Sequence, residues 1–306
     1  MAFRFKRKER VARGVRRMGR ECCDDAIAAL KECDQAEAIH EVRKNIKKAR
    51  AVLCLIRTEI SGKCLRRQRK LLRLAANHLS RARDAYVTAA SLKALRQHFK
   101  GQLSPGALRH LRAALHRSLA DEKQSFVDRR VVQRVERTLR AAGKGMTCLD
   151  LKKKGWKAMD SGIQSSYARG RQAYREVLED ASSENFHEWR KRAKALWYQV
   201  RMLRSIWSEE MDTTAAELKS LGEDLGNEHD LVMLRQEVGK QREQDDSREV
   251  ETVKALINQR QQELRVKALA LGERFYAEKP SAFCARLAGY WRAWRKEKQG
   301  TLGLES

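Results

Sequence analysis

The sequence predicts an all-α fold: two four-helix bundle-like halves related by a pseudo-twofold internal duplication. Three observations predict it. Ala, Leu, Arg, Lys, Glu and Gln dominate the 306 residues and only two prolines occur, so helix is favoured nearly throughout. Apolar residues recur at helical spacing, and no alternating strand pattern stands out. The third observation is a pattern that occurs twice.

His40-Glu41-Val42-Arg43-Lys44-Asn45-Ile46-Lys47 returns 147 residues later as His187-Glu188-Trp189-Arg190-Lys191-Arg192-Ala193-Lys194. Positions i, i+3, i+4 and i+7 of a helix share one face, so each copy is a row of imidazole and cations. An apolar row runs opposite. Val42, Ile46, Ala49, Leu53 and Ile56 match Trp189, Ala193, Leu196, Val200 and Leu203 at the same offset of 147. Such periods mark helices with one buried face. Leu72, Ala75, Leu79 and Asp84 then match Leu218, Leu221, Leu225 and Asp230 at an offset of 146, a one-residue slip that a loop absorbs. The repeated object is a multi-helix unit.

The elements follow in order. A first helix is predicted over about 6–33. Asp34 and Glu37 have the spacing of a capping box and open the first motif helix, which stops near Ser61-Gly62. A third helix is expected over about 64–100, and Ser104-Pro105 is a good N-cap and N1 pair for a fourth reaching about Arg140. Gly143-Lys144-Gly145 marks a boundary, giving halves 1–145 and 146–306. The second half repeats the order over about 151–180, 183–207 and 212–240. An acidic turn at Glu243–Ser247 precedes a long helix to about Ala277, and Pro280 starts a terminal helix.

Composition bounds the function. Lys and Arg number 66 against 40 Asp and Glu, a net charge of +26. That excess favours a polyanionic partner: nucleic acid, inorganic polyphosphate or an anionic surface. Seven scattered cysteines without a C-x-x-C pair read as free thiols in a reducing cytoplasm, with no zinc site or other metal. No stretch approaches the ~18 apolar residues of a membrane span, and the amino terminus lacks a signal sequence. No P-loop or cluster of carboxylates for a catalytic metal is present, so neither catalytic residues nor a cofactor are expected. Glu41 and Glu188 lie at i+1 of their motifs, turned off the cationic face.

The doubled H-x-x-R-K-x-x-K resembles the CHAD family (conserved histidine α-helical domain). Each copy is followed some 43 residues later by an Asp after a Leu-rich helix, and the resemblance extends from about Arg10 to Arg295. It implies a two-bundle fold that binds inorganic polyphosphate in a basic central groove. With no room for the triphosphate-processing domain that many members carry, it also implies a stand-alone module. Carried over residue by residue, the binding set is His40, Arg43, Lys44, Lys47 and Arg50, then His187, Arg190, Lys191 and Lys194. Trp197 stands where Arg50 stands in the first copy, and Arg201, one turn on, restores the charge. The third-helix signature reads Leu79-Ser80-Arg81-Ala82-Arg83-Asp84 and Leu225-Gly226-Asn227-Glu228-His229-Asp230. Arg83 and His229 join the set, with Asp84 and Asp230 orienting arginines.

Polyphosphate is a flexible chain, charged at every phosphate and without bases, so its binder needs cations along a line. The stretch from His40 to Arg50 is about 15 Å long, enough for several phosphates. Arginines offer forked donors and lysines movable point charges. Arg13, Arg17 and Arg20 of the first helix share a face and are expected in the groove, with Arg171 and Arg175 as counterparts. Arg112, His116, Lys123, Arg260 and Lys267 are weaker candidates. Like charges in the rows repel, so replacing Arg43 and Arg190 is expected to cost no stability. Nucleic acid is the alternative ligand, bound non-specifically through its backbone. A location in the cytoplasm, on polyphosphate granules, follows from the leading reading; oligomeric state has no signature.

Overall fold

The computed structural model describes residues 3–102, 108–127, 129–240 and 247–297. It is all-α: α1 (Val11–Glu32), α2 (Gln35–Leu55), α3 (Gly62–Asn77), α4 (Ser80–His98), α5 (Arg109–Val127), α6 (Arg129–Thr147), α7 (Asp160–Glu179), α8 (Ser183–Met202), α9 (Ser208–Lys240), α10 (Ser247–Phe275) and α11 (Pro280–Lys296). Short 3-10 turns at Gly155–Ala158 and Arg204–Ile206 precede α7 and α9.

Local chemistry sets the helix starts. The Asp34 carboxylate accepts from the Glu37 amide at 3.0 Å and opens α2. The hydroxyls of Ser61 and Ser182 accept from Cys64 N and Asn185 N to open α3 and α8. Each satisfies an amide that the first helical turn leaves unpaired. Pro280 sits in the first turn of α11, where its missing N–H costs nothing.

Two predicted boundaries are corrected. The third helix is two, α3 and α4, divided at His78-Leu79. The predicted fourth helix covers α5 and α6, which flank residue 128; that residue, the expected cap at Ser104-Pro105 and the acidic turn 243–246 lie outside the described residues. Gly143-Lys144-Gly145 is not a break, because α6 runs through it to Thr147. Gly145 is there for packing: a Cβ would fall 1.8 Å from Gln68 Nε2 on α3. The chain leaves the helical run only after Thr147, in a segment tied to the end of α2. There Lys153 N donates to Glu59 Oε2 at 3.1 Å, and Lys152 N to Glu59 O at 3.2 Å.

One hydrophobic core takes in the apolar faces of α1, α2, α3, α6, α7, α8 and α11 and the amino-terminal part of α9. Val42, Ile46, Ala49, Leu53 and Ile56 are buried in it, as are Trp189, Ala193, Leu196, Val200 and Leu203. The two motif helices also pack against one another. Gly162 allows α7 to touch the end of α2, since a Cβ there would sit 1.8 Å from the Leu55 carbonyl oxygen. A smaller cluster joins α4, α5, the last turns of α9 and most of α10 around Leu95, Leu234 and Ile257. Among the described residues no helix is long and apolar enough to cross a membrane, and the cysteines are free thiols.

Candidate anion-binding site

The apolar rows set the direction of the cationic ones. With Val42 and Ile46 fully buried, His40, Lys47 and Arg50 stand exposed on α2, and Arg43 and Lys44 are half-buried. Arg43 Nη1 donates to the Ala76 carbonyl at 3.2 Å, in the last turn of α3. It thus satisfies a carbonyl near the α3–α4 break. Arg50 is open to water, yet surrounding protein lowers its guanidinium pKa, with Arg69 and Arg73 of α3 adding like charge. Lys44 is paired with Glu41, three residues before it.

On α8 the row lies across α9, where Gly222 lets Lys194 pack closely: a Cβ there would stand 3.3 Å from Lys194 Cε, whereas one on Gly226 would meet Arg190 Nε at an ordinary 3.6 Å. His187 meets His229 ring nitrogen to ring nitrogen at 3.1 Å, with ring centroids 4.2 Å apart. Only one of two nitrogens in such a contact can carry the proton between them. Lys191 pairs with Glu188 at 3.2 Å, and Arg192 pairs with the same carboxylate. Glu41 and Glu188, expected off the face, therefore hold the second cation of each motif. Arg201 lies over the Trp197 ring at 4.8 Å.

Cations from different helices meet where the two motif helices pack. Burial lowers the Lys48 ammonium; Cys22 and Asp25 of α1 oppose this, while Lys44 and Arg201 of α8 add to it. Burial likewise lowers Arg169 of α7, with Arg57 and Arg192 adding to it. Arg57 Nη2 donates to Ser165 Oγ at 2.6 Å, and Cys54 Sγ lies 3.7 Å from Ser166 Oγ. Arg50 and Arg169 both act electrostatically with Cys54, so the α2 and α7 cations flank that thiol. Lys48, Arg57, Arg69, Arg73, Arg169 and Arg192 are cations beside the motif helices that the motif does not name. Sequence signals exist for three of them: Arg69 and Arg73 fall at helical spacing with Arg66, and Arg57 matches Arg204 at the repeat offset.

Glu228 is the other residue missed. It is 1% exposed and accepts from Arg265 at 2.7 Å and Gln261 Nε2 at 3.3 Å. Burial raises its carboxyl above the ordinary range, against the opposing pull of Arg265, Gln261 and Arg190. Ala82 occupies the matching position of the first copy, so the doubled pattern carried no trace of it. Asp84 and Asp230 are half-buried.

Several candidates are placed elsewhere. Arg17 is enclosed by Glu9 at 2.8 Å, Glu21 at 3.0 Å and the Arg4 carbonyl at 2.8 Å, which commits its guanidinium to holding the amino-terminal segment. This corrects its assignment to the groove. Arg171 Nε donates to the Tyr276 carbonyl at 2.9 Å and joins α7 to the end of α10. Arg20 pairs with Asp24 at 3.3 Å on the surface, while Arg13 and Arg175 are exposed. Arg260 pairs with Glu263 at 2.6 Å, beside His98. Lys267 is exposed, and Arg112 and His116 line a separate cavity. The side chains of Arg83 and Lys123 lie outside the described residues. Among the described residues no three His, Cys, Asp or Glu side chains gather as a metal site would require.

Comparison with known proteins agrees on the fold. The crystal structure of the CHAD domain from the plant Ricinus communis superposes with a TM-score of 0.64 at 16% sequence identity, covering 96% of this chain and 95% of that one. No curated protein matches the chain. The CHAD domain family profile matches residues 17–239. That stretch holds both motifs and both third-helix signatures, and the chain belongs to the CHAD domain family.

Proposed function

We propose that this protein binds inorganic polyphosphate without transforming it, in a basic groove formed where the α2 and α8 rows and their neighbours come together. One observation carries the reading. Arg50, Lys48 and Arg169 are each held below their ordinary pKa, partly by cations that other side chains bring against them. Folding has assembled like charges instead of separating them, and a polyanion would relieve the repulsion. The reading includes a duplicated unit with pseudo-twofold symmetry. It is supported by the repeated offset and by two similar arrangements, α2 packed between α1 and α3 and α8 packed between α7 and α9.

A binder is favoured over a catalyst because the nearby carboxylates are occupied. Glu41 and Glu188 hold lysines, and Glu228 holds Arg265. Single-stranded nucleic acid is disfavoured because its bases gain affinity by stacking on open aromatic faces. Along the rows, Trp189 is buried and Trp197 is covered on one face by Arg201. A polyphosphate ligand places the protein in the cytoplasm, on granules of that polymer.

Competition tests the assignment. Long-chain polyphosphate is expected to release labelled duplex DNA at a low mass ratio in a gel-shift assay, and DNA to release labelled polyphosphate poorly. Equal or reversed preference would show a general polyanion binder and defeat the proposal.

A further inference from the structure

The carboxyl-terminal half of α4 and the amino-terminal half of α5 enclose a cavity of about 680 Å³. Its described lining comes from those two helices and from Lys100, just past the end of α4, and from neither motif helix. Ala90, Leu92, Leu115 and Leu119 give it an apolar floor, and Leu92 and Leu115 are anchored below in the smaller hydrophobic cluster. Lys93, Arg96, Lys100, Arg112 and His116 stand around that floor. Among the described residues that line it there is no carboxylate and no phenyl, phenol or indole ring.

We propose that this cavity binds an anionic amphiphile with a single alkyl chain. Its carboxylate or phosphate head is held by the cations of α4 and α5, and its tail lies on the alanine–leucine floor. Size and chemistry select this class. The volume falls within the roughly 300–1,000 Å³ of small-molecule sites, and an apolar floor with a few converging polar groups is their usual construction. Polyphosphate would leave the floor wet. Exposed Lys93 and Lys100 beside an apolar floor complement a charged head joined to a hydrocarbon tail.

Calorimetric titration of the full-length protein at near-physiological salt tests this. Decanoate and decyl phosphate serve as ligands below their aggregation concentrations, and decyltrimethylammonium serves as the cationic control. Saturable binding of one decyl anion per chain is expected, and the better of the two ligands identifies the head group. Ala90→Trp fills the floor from an exposed position, and Lys93→Glu with Lys100→Glu reverses two exposed charges. Each variant is expected to lose at least about tenfold in affinity with its helical circular dichroism intact. Should Ala90→Trp fail to fold, the charge-reversed variant carries the test alone. Saturating polyphosphate is expected to leave decyl-anion binding in place, which separates this site from the groove. Non-saturable uptake, unchanged affinity in a folded variant, equal binding of the cationic amphiphile or displacement by polyphosphate would each overturn the proposal.

Discussion

Arg43 and Arg50 stand two turns apart on the same side of α2, yet the fold uses them differently. Arg43 donates to a carbonyl in the last turn of α3, while Arg50 is set against Arg69 and Arg73. A charge-assisted hydrogen bond of this kind contributes about 1.5–3 kcal/mol, and a crowded cation contributes repulsion. Arg43→Ala is therefore expected to lower stability by about that amount, against the expectation from the row alone. Arg50→Ala is expected to leave stability unchanged or slightly raised while weakening polyphosphate binding severalfold. Thermal melts and binding isotherms of the two variants check this; equal stability losses would show Arg50 to be structural. The rows themselves were legible in the sequence, because helical spacing places residues on a face whatever the helix packs against. Their partners were not. Glu228 and Arg169 enter through contacts between helices distant in sequence, and no local pattern encodes those.

At the scale of elements, the amino-terminal segment shows why a basic helix face need not be a ligand surface. Burial raises the Glu9 carboxyl, but hydrogen bonding and charge from Arg17, helped by Lys6, overcome it and leave the group below its ordinary value. A lowered carboxyl pKa is stability present above the unfolded value and lost as pH falls through the folded one. Arg17→Ala is thus expected to cost about 2 kcal/mol at neutral pH. The deficit should shrink in acid, where Glu9 is protonated in both proteins, and polyphosphate affinity should stay within about twofold. Melts at neutral and acid pH with one isotherm decide it; a large affinity loss without destabilisation would return Arg17 to the groove. Helix starts with a chemical cap were readable, as Asp34 and Pro280 show. The α3–α4 break was not, because it lies at Asn77-His78-Leu79, without proline or glycine. Gly143 and Gly145 misled for the opposite reason: Gly145 serves close packing on Gln68 within a continuous helix.

Across the whole molecule, both motif helices drive their apolar sides into one core, so the cationic rows cannot move apart without exposing it. The charge of +26 is thereby held together by hydrophobic burial. Salt then acts in opposite directions on two properties. Screening shortens the reach of repulsion from about 30 Å at 0.01 M to about 8 Å at 0.15 M, which favours the compact free protein. The same ions compete with the ligand, since each phosphate neutralised by Lys or Arg releases a counterion. A protein contacting six to ten phosphates of a nucleic acid loses roughly 10³–10⁵ in affinity between 50 and 200 mM salt, and binding of a polyphosphate chain follows the same electrostatics. Over that range the melting temperature of the free protein is expected to rise while polyphosphate affinity falls by about 10³ or more. Polyphosphate at low salt should raise the melting temperature by itself, by about 2.7 kcal/mol of stabilisation at one hundred times its dissociation constant. A salt-insensitive isotherm, or a free protein that melts lower as salt is added, would mean that the rows are neutralised within the fold and form no anion groove.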